Sequence, residues 1–141
     1  LIPYLVYVCM ALGYALIGLG RLSGNEMTSA GEHLLVVGSL GLAVLIVMAV
    51  AGRMHSGWGL DHRRWLPLGA LLFVLAALAR AGSSTPFGAA AATAGLHAAA
   101  TLWIAGWSIY LAYSLKPLSG PRPDDRGGCD EAAPVVEAAT P

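Results

Sequence analysis

The chain has 141 residues, of which 57% are hydrophobic and 11% charged, and its eight basic and eight acidic side chains give a formal net charge of zero. Soluble domains carry about 25% charged residues, so this composition leaves too little polar surface to solvate a globule. A neutral chain with no basic stripe and no interleaving of aromatic and basic residues offers nothing for nucleic acid to bind. The composition predicts an all-α, polytopic membrane bundle of about four transmembrane helices, with the lipid bilayer as its surroundings and a disordered C-terminal tail.

The first apolar run covers about residues 1–20 and ends at Arg21. This run shows neither the positive leader region nor the small-residue cleavage site of a signal peptide, so it reads as a span. The simplest expectation is the C-terminal part of a longer membrane protein whose preceding spans are partners of these. Tyr4, Tyr7 and Tyr14 share one face of this run with Ala11 and Gly18, a pattern that suits interfacial anchoring and close helix packing.

A polar loop, Arg21 to Gly31, leads to the second span at about 32–52. Ser29 stands three residues before Glu32, the spacing of a capping box. The nineteen charge-free residues from Leu34 to Gly52 reach roughly 29 Å at about 1.5 Å each, close to the hydrocarbon thickness of a bilayer. His33 opens this stretch, and Arg53 and His55 close it. The segment that follows, Arg53 to Arg64, is dense in charge and histidine and belongs outside hydrocarbon.

A third span is predicted over about 65–81. Its purely apolar part, Trp65 to Ala79, is short, so either Arg64 and Arg80 snorkel or the helix continues past Arg80. The fourth covers about 87–115, with Lys116 and Pro117 stopping it. The remainder, 118–141, is rich in Pro, Gly and acidic residues and reads as disordered. Arg53, Arg63, Arg64, Lys116, Arg122 and Arg126 fall on one side, and only Arg21 and Arg80 on the other. The positive-inside rule then places the His55 loop and the C-terminal tail in the cytoplasm.

The chemistry-bearing residues are few. Cys9 and Cys129 lie in different environments without a CxxC spacing, which argues against a disulfide or thiolate site. No GxSxG, P-loop or HExxH motif occurs, and no GxGxxG in a strand–turn–helix context. Four histidines remain, and imidazoles within spans are functional candidates by default. His33 and His97 lie at similar depth on the outer side of their spans, which suits axial haem ligation or half of a copper site. His33 and His55 are 22 residues apart, roughly 33 Å along a straight helix, so they cannot share an ion unless the helix breaks. Arg53 beside His55 is placed to pair a haem propionate. Thr93, His97 and Thr101 recur at i+4 and form a stripe that could line a cofactor or proton route. Trp103, Trp107 and Tyr110 form an aromatic face on the same span, better read as anchoring and packing than as a cofactor box.

The order of these features resembles one family. His33 opens an apolar helix carrying Gly38 and Gly41; Arg53, His55 and Gly57 follow; Ala79-Arg80 ends the next helix. Trp103 and Tyr110 mark the last span, before a closing Pro117-Leu118 and Pro121-Arg122-Pro123-Asp124. This is similar to the C-terminal third of the NnrS family, polytopic bacterial inner-membrane proteins of about twelve spans that contain haem and copper. The resemblance implies a part in the response to nitric oxide and nitrosative stress. On it, His33 and His55 are the metal-ligand candidates, with Arg53 as an electrostatic partner and His97 as a further cofactor-binding candidate. Two readings from other classes stay open. One is a cofactor-free transport or structural bundle using the Thr93–His97–Thr101 stripe. The other is a cytochrome b-like, quinol-interacting subunit with a His33–His97 haem pair.

Overall fold

The computed structural model describes residues 2–60, 64–85 and 91–123. These residues form four helices, α1 Ile2–Ser23, α2 Met27–His55, α3 Trp65–Ser83 and α4 Ala92–Ser119, each long and apolar enough to cross a membrane. No strand occurs among the described residues. The protein is an all-α membrane protein. α2 has 29 residues, roughly 43 Å of helix, so its two ends emerge from a hydrocarbon layer of roughly 30 Å.

Between bilayer-spanning helices the association rests on close packing, because lipid tails are as apolar as the helix faces they would replace. Small residues set where these helices touch. α1 lies along the first half of α2, and a Cβ added at Gly31 would stand 2.5 Å from the carbonyl oxygen of Gly13. A Cβ at Gly13 would in turn meet Leu35 Cγ at 2.7 Å. On the other flank, α3 and α4 pack along most of their length. Phe73, fully buried, sits 4.5 Å from the Trp103 ring and 5.2 Å from Trp107. Gly106 and Gly41 make room for this cluster: a Cβ at Gly106 would fall 2.5 Å from Phe73, and one at Gly41 would fall 2.6 Å from Trp103. Leu42, Leu45, Ala49 and Ala70 complete the core.

α2 is not uniform. Leu34–Leu40 is a π-helical segment of seven residues, beginning immediately after His33. This wider turn brings Leu34, Gly38 and Ser39 inward together, with Gly38 against Cys9 and Ala77. The helix continues unbroken on both sides of it.

Two loops turn on glycines with positive φ, Gly24 at 64° and Gly57 at 72°. At Gly57 the amide donates to Met54 O and the following Trp58 amide to Arg53 O, the paired bonds of a Schellman cap. That cap folds Trp58 back over the last turn of α2.

The structure differs from the sequence expectations in three places. α2 starts at Met27, before Ser29, and no side chain caps it from the N-cap position. Asn25 Oδ1 instead accepts the Met27 amide at 3.0 Å, and Ser29 is already helical, so the capping box has no terminus to act on. Of the two alternatives open for α3, the helix takes the second and runs past Arg80 to Ser83. Pro117 does not end α4, which continues to Ser119; this close to the helix end the proline removes little of the ladder. The tyrosine face of α1 contributes little to the packing among the described residues: Tyr4, Tyr7 and Tyr14 are exposed, and α1 buries Cys9, Gly13 and Gly20. The expectations for His62, Arg63, Cys129 and most of the tail lie outside the described residues.

Candidate functional site at the two ends of the second helix

His33 is half-buried in the first turns of α2. Its Nδ1 lies 2.6 Å from the backbone carbonyl oxygen of Ser29, one turn earlier. A carbonyl oxygen can only accept, so Nδ1 carries the proton and, in the neutral ring, Nε2 keeps its lone pair. This is the tautomer and restraint that a metal-binding imidazole usually has. Ser84 Oγ, at the end of α3, stands 3.5 Å from the same nitrogen. Arg80 Nη1 donates to Ser84 Oγ at 2.6 Å and approaches Ser83 Oγ at 3.4 Å. An imidazole, a hydroxyl and a guanidinium therefore meet at one end of the bundle. Next to them Val37, Arg80, Leu96, Ala99, Ala100 and Trp103 line a cavity of about 230 Å³.

His55 ends α2 at the opposite face and is exposed. Its carbonyl oxygen accepts a hydrogen bond from Arg122 Nη1 at 2.7 Å. Arg53 Nε donates to Gly59 O at 2.9 Å, and the guanidinium lies 5.9 Å from the centre of the Trp58 ring. Lys116 Nζ lies 5.7 Å from the same ring. Among the described residues Arg53, Trp58, Ala112, Tyr113, Lys116 and Pro117 line an open cavity of about 350 Å³. Behind it an aromatic column runs through the bundle: Tyr113 stacks on Trp65 at 5.5 Å, Trp65 meets Tyr110 at 6.4 Å, and Tyr110 meets Trp107 at 5.6 Å. Two buried polar atoms in this half lack a hydrogen-bond partner among the described residues, Trp58 Nε1 and Tyr110 Oη.

α2 does not break, so His33 and His55 stay at opposite ends and belong to separate sites. The Met27–His33 turn does not pack on α4, and His97 is exposed there with Thr93 and Thr101. The two outer imidazoles are not brought together. Thr101 Oγ1 is spent on the His97 carbonyl at 2.9 Å. Among the described residues no three His, Cys, Asp or Glu side chains converge as a metal site. What fits a haem iron or a copper ion is thus a single oriented imidazole, His33, open at Nε2.

The sequence reading missed Arg80 and Ser84 as neighbours of His33, and Trp58 and Lys116 as neighbours of Arg53. Matching depth was the available signal for the first group, since the ends of α3 and the start of α2 face the same side.

A family model described as NnrS protein matches residues 1–122. No curated protein and no solved structure matches the chain.

Proposed function

Because the chain belongs to the NnrS family, we propose that His33 would supply an imidazole ligand to the haem or copper with which that family is associated, in a protein of the nitric oxide response. The observation that carries this is the 2.6 Å approach of His33 Nδ1 to Ser29 O, which fixes the ring and leaves Nε2 available. Ser84 and Arg80 act behind it. The hydroxyl borders the ring, and the guanidinium holds the hydroxyl and keeps positive charge beside the site.

Bound metal would supply the capacity to take up nitric oxide; this chain's own residues orient one ligand and shield it. Leu34 beneath His33 is buried, which limits water on that side. His55 and Arg53 are proposed as a second, separate site at the other face, with His55 as a ligand and Arg53 as a counter-charge for an anionic group. His97 remains a cofactor-binding candidate for spans outside these four. We place the protein in the bacterial inner membrane with the His55 end and the C-terminus in the cytoplasm, on the bias of its basic residues.

The test is metal and haem content of the intact protein purified from membranes. His33→Ala should lose most of one cofactor while remaining folded. Unchanged haem and copper content in both His33→Ala and His55→Ala would reject the ligand roles.

A further inference from the structure

We propose that Trp103, Trp107, Tyr110, Trp65 and Tyr113 form a relay that carries single electrons from the His55 end of the bundle to a small, uncharged radical oxidant in the cavity beside Arg80. The relay needs no metal on His33, so it stands apart from the metal reading above.

Three observations carry it. First, the rings follow one another without a gap. Their centroids are 6.1 Å apart from Trp103 to Trp107, 5.6 Å from Trp107 to Tyr110, 6.4 Å from Tyr110 to Trp65 and 5.5 Å from Trp65 to Tyr113. The last pair is stacked, 8° from parallel. Indole and phenol are the aromatic side chains that give up one electron most readily, and electrons pass between rings this close with no bond joining them. Second, the series does not behave as an interfacial belt, whose members face the headgroups. Trp65 and Tyr110 are buried, at 4% and 3% exposure. Third, its two ends open onto different surroundings. Among the described residues Trp103 lines the largely apolar cavity of about 230 Å³ that Arg80 borders. Tyr113, roughly 15 Å further along α4, is exposed and lines the cavity that Arg53 and Lys116 share.

The oxidant takes one electron from Trp103 and becomes an anion beside the Arg80 guanidinium. Trp107 refills Trp103, and Trp65 refills Trp107 across the ring of Tyr110. Tyr110 is a bridge and not a stop. Its buried hydroxyl has no hydrogen-bond partner among the described residues to take the proton that a phenol sheds on oxidation. Tyr113 gives the last electron to Trp65 and its phenolic proton to water at the exposed rim. A phenol able to release its proton is easier to oxidise than an indole at neutral pH, so the oxidation settles there. A water-soluble thiol then returns a hydrogen atom to the Tyr113 oxygen, and two of the thiyl radicals so formed couple to a disulfide.

The experiment attaches a ruthenium polypyridyl photo-oxidant to the intact protein through Leu96→Cys, in a variant lacking Cys9 and Cys129. Leu96 is exposed and lines the same cavity as Trp103. After a flash in the presence of an electron-accepting quencher, transient absorption should show a tryptophan radical giving way to a tyrosyl radical, at a rate independent of protein concentration. Tyr113→Phe should abolish the tyrosyl signal in electron paramagnetic resonance. Trp107→Phe should strand the oxidation on Trp103, and Tyr110→Phe should keep the transfer. Phenylalanine preserves ring packing while resisting oxidation, and near-UV circular dichroism establishes that each variant is folded. An undiminished tyrosyl signal in folded Trp107→Phe or Tyr113→Phe overturns the proposal. So does a radical that never leaves Trp103 in the labelled parent, or a transfer rate that rises with protein concentration.

Discussion

His33 Nδ1 and Ser29 O, 2.6 Å apart within one turn of α2, set the tautomer of an imidazole that the helix itself orients. The carbonyl is a backbone group, so no side-chain replacement of Ser29 removes it. The restraint is built into the helix itself, and the ring's free nitrogen points to chemistry outside that turn.

The hydroxyl of Ser84 is the replaceable part of this arrangement. Ser84→Ala removes the acceptor of the 2.6 Å bond from Arg80 Nη1 and the group 3.5 Å from the ring. Changes of this kind around metal ligands lower metal affinity by roughly 10–100-fold. Because the main restraint on His33 is kept, the expected loss lies near the lower end, about tenfold, read by titrating the apoprotein with haem or copper. Affinity unchanged within twofold would show that Ser84 plays no part.

Gly41 tests the aromatic cluster. A methyl group there would stand 2.6 Å from Trp103 and 3.0 Å from Phe73, so Gly41→Ala should destabilise the bundle by about 1–3 kcal/mol through overpacking. Gly18→Ala is the matched control, with nothing within 4 Å of the new atom. It should be neutral or slightly stabilising, since alanine is the better helix residue by about 1 kcal/mol. Thermal unfolding in detergent, followed by tryptophan fluorescence, separates the two.

Gly57→Ala should cost about 1–2 kcal/mol, because the cap holds that residue at φ 72°. It should also shift the emission of Trp58, whose position follows from the cap. Gly59→Ala has open space around the new Cβ and an ordinary backbone, and should change neither. Identical emission and melting in both variants would contradict the capping role.

Single cysteines placed at Gly24 and Gly59, in a variant lacking Cys9 and Cys129, should be labelled from opposite sides of the membrane by an impermeant maleimide. On the charge bias, position 59 reacts only after the cytoplasmic side is opened. The reverse pattern would invert the orientation, and labelling of both from one side would dismiss the four-span arrangement.

Much of this fold was legible in the residues. Four apolar stretches, each interrupted by charge or by Gly and Ser, predicted four spans because burying backbone in lipid leaves helices as the only economical solution. Arg80 left two alternatives in the sequence, snorkelling or a longer helix, and its bonds to Ser83 and Ser84 go with the longer one. The tyrosine row of α1 was read for anchoring and packing together, and little of the packing falls on it. Periodicity reports that a face exists, and glycines at 13, 20 and 31 decide which face meets a neighbour. The meeting of His33 with Ser84 spans 51 positions in sequence, and pairings at that range follow from which helices lie side by side. The π-helical turn left no sequence signature in Leu34–Leu40, whose composition suits an ordinary helix equally well.

That wide turn has a mechanical meaning. Each residue of an α-helix advances the chain by about 100° of rotation, so the slack held in Leu34–Leu40 sets the angle between the ends of the same rod. Tightening it into regular coils would swing one end relative to the other. Either Gly41 would leave the face of Trp103, or the imidazole at position 33 would turn away from α3.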